Sequence, residues 1–378
     1  MADRYVVARY CFGGIGDHLL CLVGAWWVAR RTGRILVVDW RGSRFNPNPS
    51  GGNCFYTYFE RVSRLAGVEV IADDSVGEIA FPSPMWPDKW TSATLASLDH
   101  MKHTSAEVSD VNRMVNSDQD ITQPTVVLNQ WIEPVPPRDA VRNMLKDLRP
   151  AESIRARAQH FWDEQIASKP AIAIHLRHGN GENIGLRAAY WLGPVALARQ
   201  LIMDARNDIH KPGLFGRFSD NAAESLVGAP SQAGAERRFC RRVAASFRSM
   251  SRTSGVVNAI PFLFCDSAQI IEIMKEILPT LVACPKRLQN RGDGPLHQFD
   301  ASAVRHSANG GVRGGTIANE ITQEMFVELE LMRRCAALLY MDSGFSIVSR
   351  IMLEDSRLSL LKPNIVNRYI PKILRRFI

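Results

Sequence analysis

The chain has 378 residues, which is long enough for two α/β domains of ordinary size. Hydrophobic residues make up 46% and charged residues 22%, a composition that excludes a disordered chain and allows a sizeable core. The net charge of +8 favours anionic partners such as nucleotides, without naming one. The 7 cysteines are scattered without CxxC pairs, which favours reduced thiols and argues against structural zinc.

The amino-terminal segment has the pattern of a βαβ unit. An apolar strand at 5–10 leads into a glycine loop at 13–16, a helix over about 18–31 and a second strand at 35–39. The loop glycines either present main-chain amides to an anion or simply allow a tight turn. Leu19 stands where a dinucleotide fingerprint has its third glycine, which disfavours a nicotinamide-dependent oxidoreductase.

The apolar stretch at 19–29 is shorter than the roughly 20 residues that span a bilayer, and it begins too late for a secretory signal. We therefore expect a cytoplasmic protein. Farther along, prolines and turn residues mark loops at 46–53 and 81–87, and the polar stretch 95–120 predicts irregular structure.

The second half repeats the alternation of strands and helices. Helix-forming residues at 138–165 precede a continuous apolar strand at 171–175, and a further strand, helix and strand are predicted at 261–265, 267–277 and 281–284. The Ala-, Ser- and Arg-rich stretch 205–257 has the composition of an inserted helix and loop. The pattern predicts an α/β fold with two Rossmann-like domains, 1–150 and 151–378, facing across a cleft.

The sharpest chemical motif follows the strand at 171–175, in the block His175 to Glu182. Ligands of open α/β sheets bind at the carboxyl ends of strands, and Arg177 and His178 would form an anion clamp there. The alternatives are a buried core histidine for His175 and a structural ion pair for Arg177. No acid cluster has metal-ligand spacing, so no metal is predicted.

Two further strand ends carry polar groups. Asp266 and Ser267 follow the strand at 261–265, where they either cap the next helix or meet a nucleotide. The segment 341–346 follows an apolar run and precedes a helix, so its hydroxyls and amides form a third such edge. We expect the three edges to converge on one nucleotide.

Basic residues concentrate in the arginine cluster at 237–252 and in the tail 367–378. Either the two segments touch anionic lipid, the tail by a weak contact at the inner membrane, or both are solvated basic faces. Nucleic-acid binding is disfavoured, because the cluster interleaves only Phe239 and Phe247 with its charges.

At these motifs the sequence resembles the bacterial nodulation fucosyltransferases of glycosyltransferase family 23 and, more distantly, the animal core fucosyltransferases. The resemblance spans most of the chain, and its anchors occur in the same order. They are Gly14 to Asp17, Arg31 to Arg34, Asp39 to Ser43, His175 to Glu182, Cys265 to Gln269, Pro285 to Arg287, and Gly294 to His297.

The resemblance implies a GT-B type fold with an acceptor-side first domain and a GDP-fucose-binding second domain. It implies an inverting transfer of L-fucose from GDP-fucose to the 6-hydroxyl of a GlcNAc residue in a chitin oligosaccharide or Nod-factor acceptor, with no required metal. Carried over by position, the GDP-binding residues are Arg177, His178, Asn180, Asp266, Ser267, Glu328, Ser346 and Ile347.

The match departs from the family at two places. The animal enzymes have a second arginine and an acid-lysine pair after the motif arginine, whereas this chain has His178, Asn180 and Gly181, so Glu182 is the candidate base beside the catalytic Arg177. The stretch 205–257 and the basic tail have no counterpart that we can place. A lipopolysaccharide or other surface-glycan fucosyltransferase and a non-catalytic sugar-nucleotide-binding protein therefore stay open.

Overall fold

The computed structural model describes most of the chain, which divides into two compact units. The first unit comprises Met1–Gln165, Asp300–Arg334 and Ser343–Asp355, and the second comprises Ile166–Phe299, Cys335–Asp342 and Ser356–Ile378. The sequence predicted contiguous domains at 1–150 and 151–378, whereas both units are discontinuous. The described residues are 3–9, 14–43, 45–47, 52–98, 105–117, 121–130, 137–178, 232–284, 286, 315–341, 343–353 and 355–361.

The first unit contains a six-stranded sheet with the order β3-β4-β2-β1-β6-β5. All neighbouring strands run parallel except β3 and β4. The strands are β1 (Tyr5–Arg9), β2 (Ile35–Asp39), β3 (Arg64–Leu65), β4 (Val68–Ile71), β5 (Met85–Trp86) and β6 (Thr125–Leu128).

The second unit contains a five-stranded parallel sheet with the order β11-β10-β7-β8-β9. Its central strand, β7, is buried along its whole length, as expected for a strand covered on both faces. The strands are β7 (Ala171–Leu176), β8 (Ile260–Cys265), β9 (Val282–Ala283), β10 (Ala337–Tyr340) and β11 (Leu358–Leu360).

Helices connect and cover the strands of both units. Short 3₁₀ helices occupy Asp74–Glu78 and Asp355–Arg357. In the described part of the chain the α-helices are α1 (Ile15–Thr32), α2 (Phe55–Tyr58), α3 (Ser92–Ala96), α4 (Ser105–Val115), α5 (Arg138–Asp147), α6 (Glu152–Gln165), α7 (Gln232–Thr253), α8 (Ala268–Ile277), α9 (Gly315–Arg334) and α10 (Gly344–Met352).

Most strong apolar runs form the predicted elements, and one prediction is wrong. The predicted irregular stretch 95–120 contains α4, whose Val111 and Val115 are buried on one side of the helix. That helix forms because an apolar stripe at helical spacing outweighs a polar average composition. Within the predicted insertion 205–257, residues 205–231 lie outside the described residues.

The inner face of α7 forms part of the core of the second unit. Phe239, Val243 and Phe247 belong to one hydrophobic cluster with Ile172 and Ile174 of β7. The outer face of the same helix exposes its arginines. In the described residues, no helix is long and apolar enough to cross a membrane.

Candidate functional site

Arg177 and His178 follow β7, and Asp266 follows the neighbouring strand β8. Because these strands run parallel, their carboxyl ends lie at the same edge of the sheet. The Arg177 guanidinium forms an ion pair with one Asp266 oxygen, and the His178 main-chain amide donates a hydrogen bond of 2.8 Å to the other. The predicted clamp residues are therefore joined by one carboxylate.

The ion pair predicted as the structural alternative for Arg177 is present. The Arg177 side chain is 14% exposed and the Asp266 side chain 5%, so the pair lies largely out of solvent. A guanidinium carries five N–H donors in a planar fork, so pairing with one carboxylate is compatible with donation to a phosphate. Asp266 therefore orients the Arg177 fork at the ligand edge of the sheet.

The N-cap position of α8, predicted as the alternative role of Asp266 or Ser267, falls on Ser267. The Ser267 hydroxyl makes no capping hydrogen bond. The Asp266 carboxylate instead accepts from the segment after β7. The sequence identified the correct strand end, and the carboxylate binds the segment that follows the neighbouring strand β7.

The His178 side chain bonds to a residue that the sequence did not single out. Its Nε2 lies 3.1 Å from Oε1 of Glu236 on α7, and the other oxygen, Oε2, accepts a hydrogen bond of 3.2 Å from the Gln269 amide on α8. Glu236 is fully buried and His178 nearly so. The available signal was an acid on the apolar face of an otherwise arginine-rich helix.

His175 lies inside the sheet, 5% exposed, as its core-histidine interpretation predicts. Its main-chain carbonyl accepts a hydrogen bond of 3.2 Å from Met341, directly after β10. The end of β10 therefore adjoins the end of β7, while convergence of the three strand edges on one nucleotide stays a prediction. The predicted site residues Asn180 and Glu182 lie outside the described residues.

The other predicted site residues, Glu328, Ser346 and Ile347, belong to the first unit. Glu328 is buried on α9, and Ile347 is partly buried in α10. The Ser346 hydroxyl is buried and donates 3.0 Å to the Ser343 carbonyl within the first turn of α10. Their contact with a nucleotide stays a prediction.

The first turns of α1 and α10 are in contact within the first unit. A Cβ placed on Gly16 would lie 2.5 Å from the Gly344 carbonyl carbon, and one placed on Gly344 would lie 2.6 Å from Oδ1 of Asp17. The Asp17 carboxylate also accepts a hydrogen bond of 2.7 Å from the Gly14 amide. Gly16 is thus required for close packing against the main chain at Gly344, and Gly344 leaves room for the Asp17 carboxylate, a relationship that the sequence did not reveal.

Among the described residues, no three His, Cys, Asp or Glu side chains are grouped so that they could hold a metal ion. The polar groups at the described part of the β7 edge are the Arg177 guanidinium, the His178 imidazole and the carboxylates of Asp266 and Glu236 that pair with them.

Two mainly parallel sheets with covering helices define an α/β protein, as predicted. The sequence model of the family described as Nodulation protein Z (NodZ) matches residues 2–214, which is more than half of the chain. The chain belongs to this family.

Individual relatives agree with that assignment. Nodulation protein Z of Bradyrhizobium diazoefficiens is 30% identical over 296 residues, covering 78% of this chain and 68% of the relative. The crystal structure of fucosyltransferase NodZ from Bradyrhizobium is 22% identical and covers 93% of this chain and 94% of its own, with a TM-score of 0.63. A structure of NodZ α-1,6-fucosyltransferase soaked with GDP-fucose has 22% identity, 93% coverage of each chain and a TM-score of 0.60.

Proposed function

We propose that this protein is an inverting fucosyltransferase that moves L-fucose from GDP-fucose to the 6-hydroxyl of a GlcNAc residue in a chitin oligosaccharide or Nod-factor acceptor. Membership of the Nodulation protein Z family carries this proposal. The relatives' activity and donor, α-1,6-fucosyl transfer and GDP-fucose, supply the chemistry.

The edge formed by β7 and β8 is suited to the donor diphosphate. Arg177 contributes a fork of donors, held in position by Asp266. His178 adds a ring anchored on Glu236, and Ser267 opens α8, whose first amides face outward along the helix axis. In our proposal Asn180, Glu328, Ser346 and Ile347 complete the contacts with GDP.

The reaction requires one bond to form and one to break at the fucose anomeric carbon. The acceptor hydroxyl oxygen attacks that carbon, the bond to the GDP β-phosphate oxygen breaks, and the hydroxyl proton passes to Glu182 as general base. Negative charge gathers on the departing GDP, where Arg177 and the helix-terminal amides stabilise it. Attack opposite the leaving group inverts the anomeric configuration.

GDP release from GDP-fucose with a panel of acceptors tests the proposal. We expect release with chitin oligosaccharides, and a product with α-linked fucose on the 6-hydroxyl by NMR. GDP release only with lipopolysaccharide oligosaccharides would show that the acceptor is a surface glycan and not a chitin oligosaccharide. GDP binding in calorimetry without release on any acceptor would indicate a non-catalytic binding protein, and absence of GDP binding would overturn the donor site.

A further inference from the structure

Glu236 is an acidic residue buried inside the apolar face of α7. Its side chain is 0% exposed, and its neighbours on the inner face of the helix include Phe239, Cys240 and Val243, which are likewise buried. A buried carboxylate is costly unless it is paired and hydrogen-bonded. Packing alone therefore gives no reason for an acid here, where an apolar side chain would be cheaper.

The partners of Glu236 lie at the ligand edge of the sheet. One carboxylate oxygen is 3.1 Å from His178 Nε2, and the other accepts 3.2 Å from Gln269 in the first turn of α8. Where the Glu236 carboxylate is the acceptor, Nε2 of His178 is the donor, and the ring donates to a phosphate through Nδ1 only as the doubly protonated imidazolium. Glu236 therefore ties the imidazole ring to α7 and to the start of α8.

The main chain of His178 is fixed by a second carboxylate. Its amide donates to Asp266, whose other oxygen pairs with Arg177. Asp266 thus holds the main chain and the neighbouring guanidinium, while Glu236 holds the ring. Two carboxylates from different segments together set the geometry of the Arg177 and His178 pair.

We propose that Glu236 is a positioning residue of the donor site, which orients His178 for the diphosphate of GDP-fucose through the α7–β7 contact. The proposal rests on the proposed function, since it assigns the diphosphate to His178. Side chains that contact a ligand act well only when neighbouring hydrogen bonds lock their rotamers. Glu236 supplies such a lock without reaching the ligand itself.

The test is a double-mutant cycle on GDP affinity, using Glu236→Gln, His178→Ala and the combined variant in the full chain. Glu236→Gln keeps the shape and removes the charge. We expect it to raise the Kd for GDP by at least about fivefold in the wild-type background and by less than about twofold in the His178→Ala background. Glu276→Gln, an exposed acid paired with Arg237, is the matched control and should leave Kd unchanged.

The outcomes separate the two proposals. If the wild type does not bind GDP, the proposed donor site fails before Glu236 is tested. If the wild type binds GDP and Glu236→Gln leaves Kd unchanged, only the positioning role is overturned. Equal effects in both backgrounds, or a lowered melting temperature with unchanged Kd in the folded fraction, would likewise reduce Glu236 to a structural residue.

Discussion

Gly16 and Gly344 hold the first turns of α1 and α10 in backbone contact, with 2.5 Å between a Cβ built on Gly16 and the Gly344 carbonyl carbon. Real Cβ atoms do not approach a main chain this closely, so one of the two helices would have to move. The contact joins the amino-terminal glycine loop to a turn more than three hundred residues later in the chain.

Gly16→Ala should therefore destabilise the first unit by about 2–3 kcal/mol, the cost of forcing an extra methyl group into a packed contact. Urea denaturation followed by circular dichroism measures the change as a shift in midpoint at constant slope. Gly14→Ala is the matched control, since its Cβ would come no closer than 3.8 Å to Asp17. It should cost less than about 1 kcal/mol. Equal effects at the two positions would refute the contact.

The six described cysteines are all buried and form no disulfide, as the scattered spacing predicted. Burial raises the pKa of the Cys21 and Cys240 thiols to about 12. A thiol reacts as its thiolate, whose population grows only as the pH approaches that value. We therefore expect both to resist iodoacetamide at pH 8 in the folded protein and to react in denaturant. Peptide mapping by mass spectrometry measures each site, and rapid labelling of Cys21 in the native protein would contradict its burial.

Long apolar strands were predictable because they carry their own signal. The segments 35–39, 171–176 and 260–265 are mainly apolar runs, and each forms a strand. The strands β3 and β5 have two residues each, so pairing with neighbours rather than local sequence creates them, whereas the two residues of β9 lie within the strand predicted at 281–284. No element was predicted over α9, because its polar and apolar residues alternate without an obvious apolar run, although they form an amphipathic helix.

The candidate site was predictable to the same extent. Arg177 and Asp266 follow strong strands, and parallel strands bring their carboxyl ends to one edge, so both were found. Glu236 and Gln269 project from helices, and their convergence depends on how each helix is rotated against the sheet. Single-sequence patterns give the apolar face of a helix but not which polar atom meets a distant strand end.

The basic tail provides a test of membrane contact. Each Lys or Arg near an anionic bilayer contributes about 1 kcal/mol, so deleting residues 367–378 should weaken binding to phosphatidylglycerol vesicles at least about tenfold. Transfer to a soluble acceptor should persist. Cosedimentation with vesicles measures the binding, and GDP release measures the transfer. If the full chain does not bind vesicles, the tail has no such role.

A second variant tests whether the exposed outer face of α7 contacts the vesicles. In it, Arg238, Arg241 and Arg252 are changed to Gln. If the tail alone contacts lipid, this triple variant should bind vesicles like the wild type. Loss of binding in the triple variant but not in the tail deletion would assign the contact to α7 instead.

Glu182 is the proposed general base, and its charge is needed for chemistry rather than for donor binding. Glu182→Gln should lower kcat by at least about 100-fold while leaving the Kd for GDP within about twofold. Steady-state rates and calorimetry on the same preparation separate the two effects. Near-normal turnover would remove Glu182 from the mechanism.

Arg177 is proposed to stabilise the charge on the departing GDP in place of a metal ion. It lies at the end of β7 with its guanidinium on Asp266. Arg177→Lys keeps the charge but replaces the planar fork with a point charge that cannot bind two phosphate oxygens at once. We expect the Kd for GDP to rise at least about tenfold and the initial rate to fall about 100-fold or more.

The decisive form of this experiment repeats both measurements with EDTA. The wild-type rate should stay within about twofold, because the proposed site stabilises the diphosphate with Arg177 rather than with oxygen-ligated magnesium or manganese. Arg237→Lys is the matched control, since Arg237 pairs with Glu276 on the surface and should tolerate a lysine. If Arg177 serves only as a structural ion pair, Arg177→Lys should lower the melting temperature and spare GDP affinity. Strong inhibition of the wild type by EDTA, or unchanged affinity and rate in Arg177→Lys, would overturn the proposed donor site.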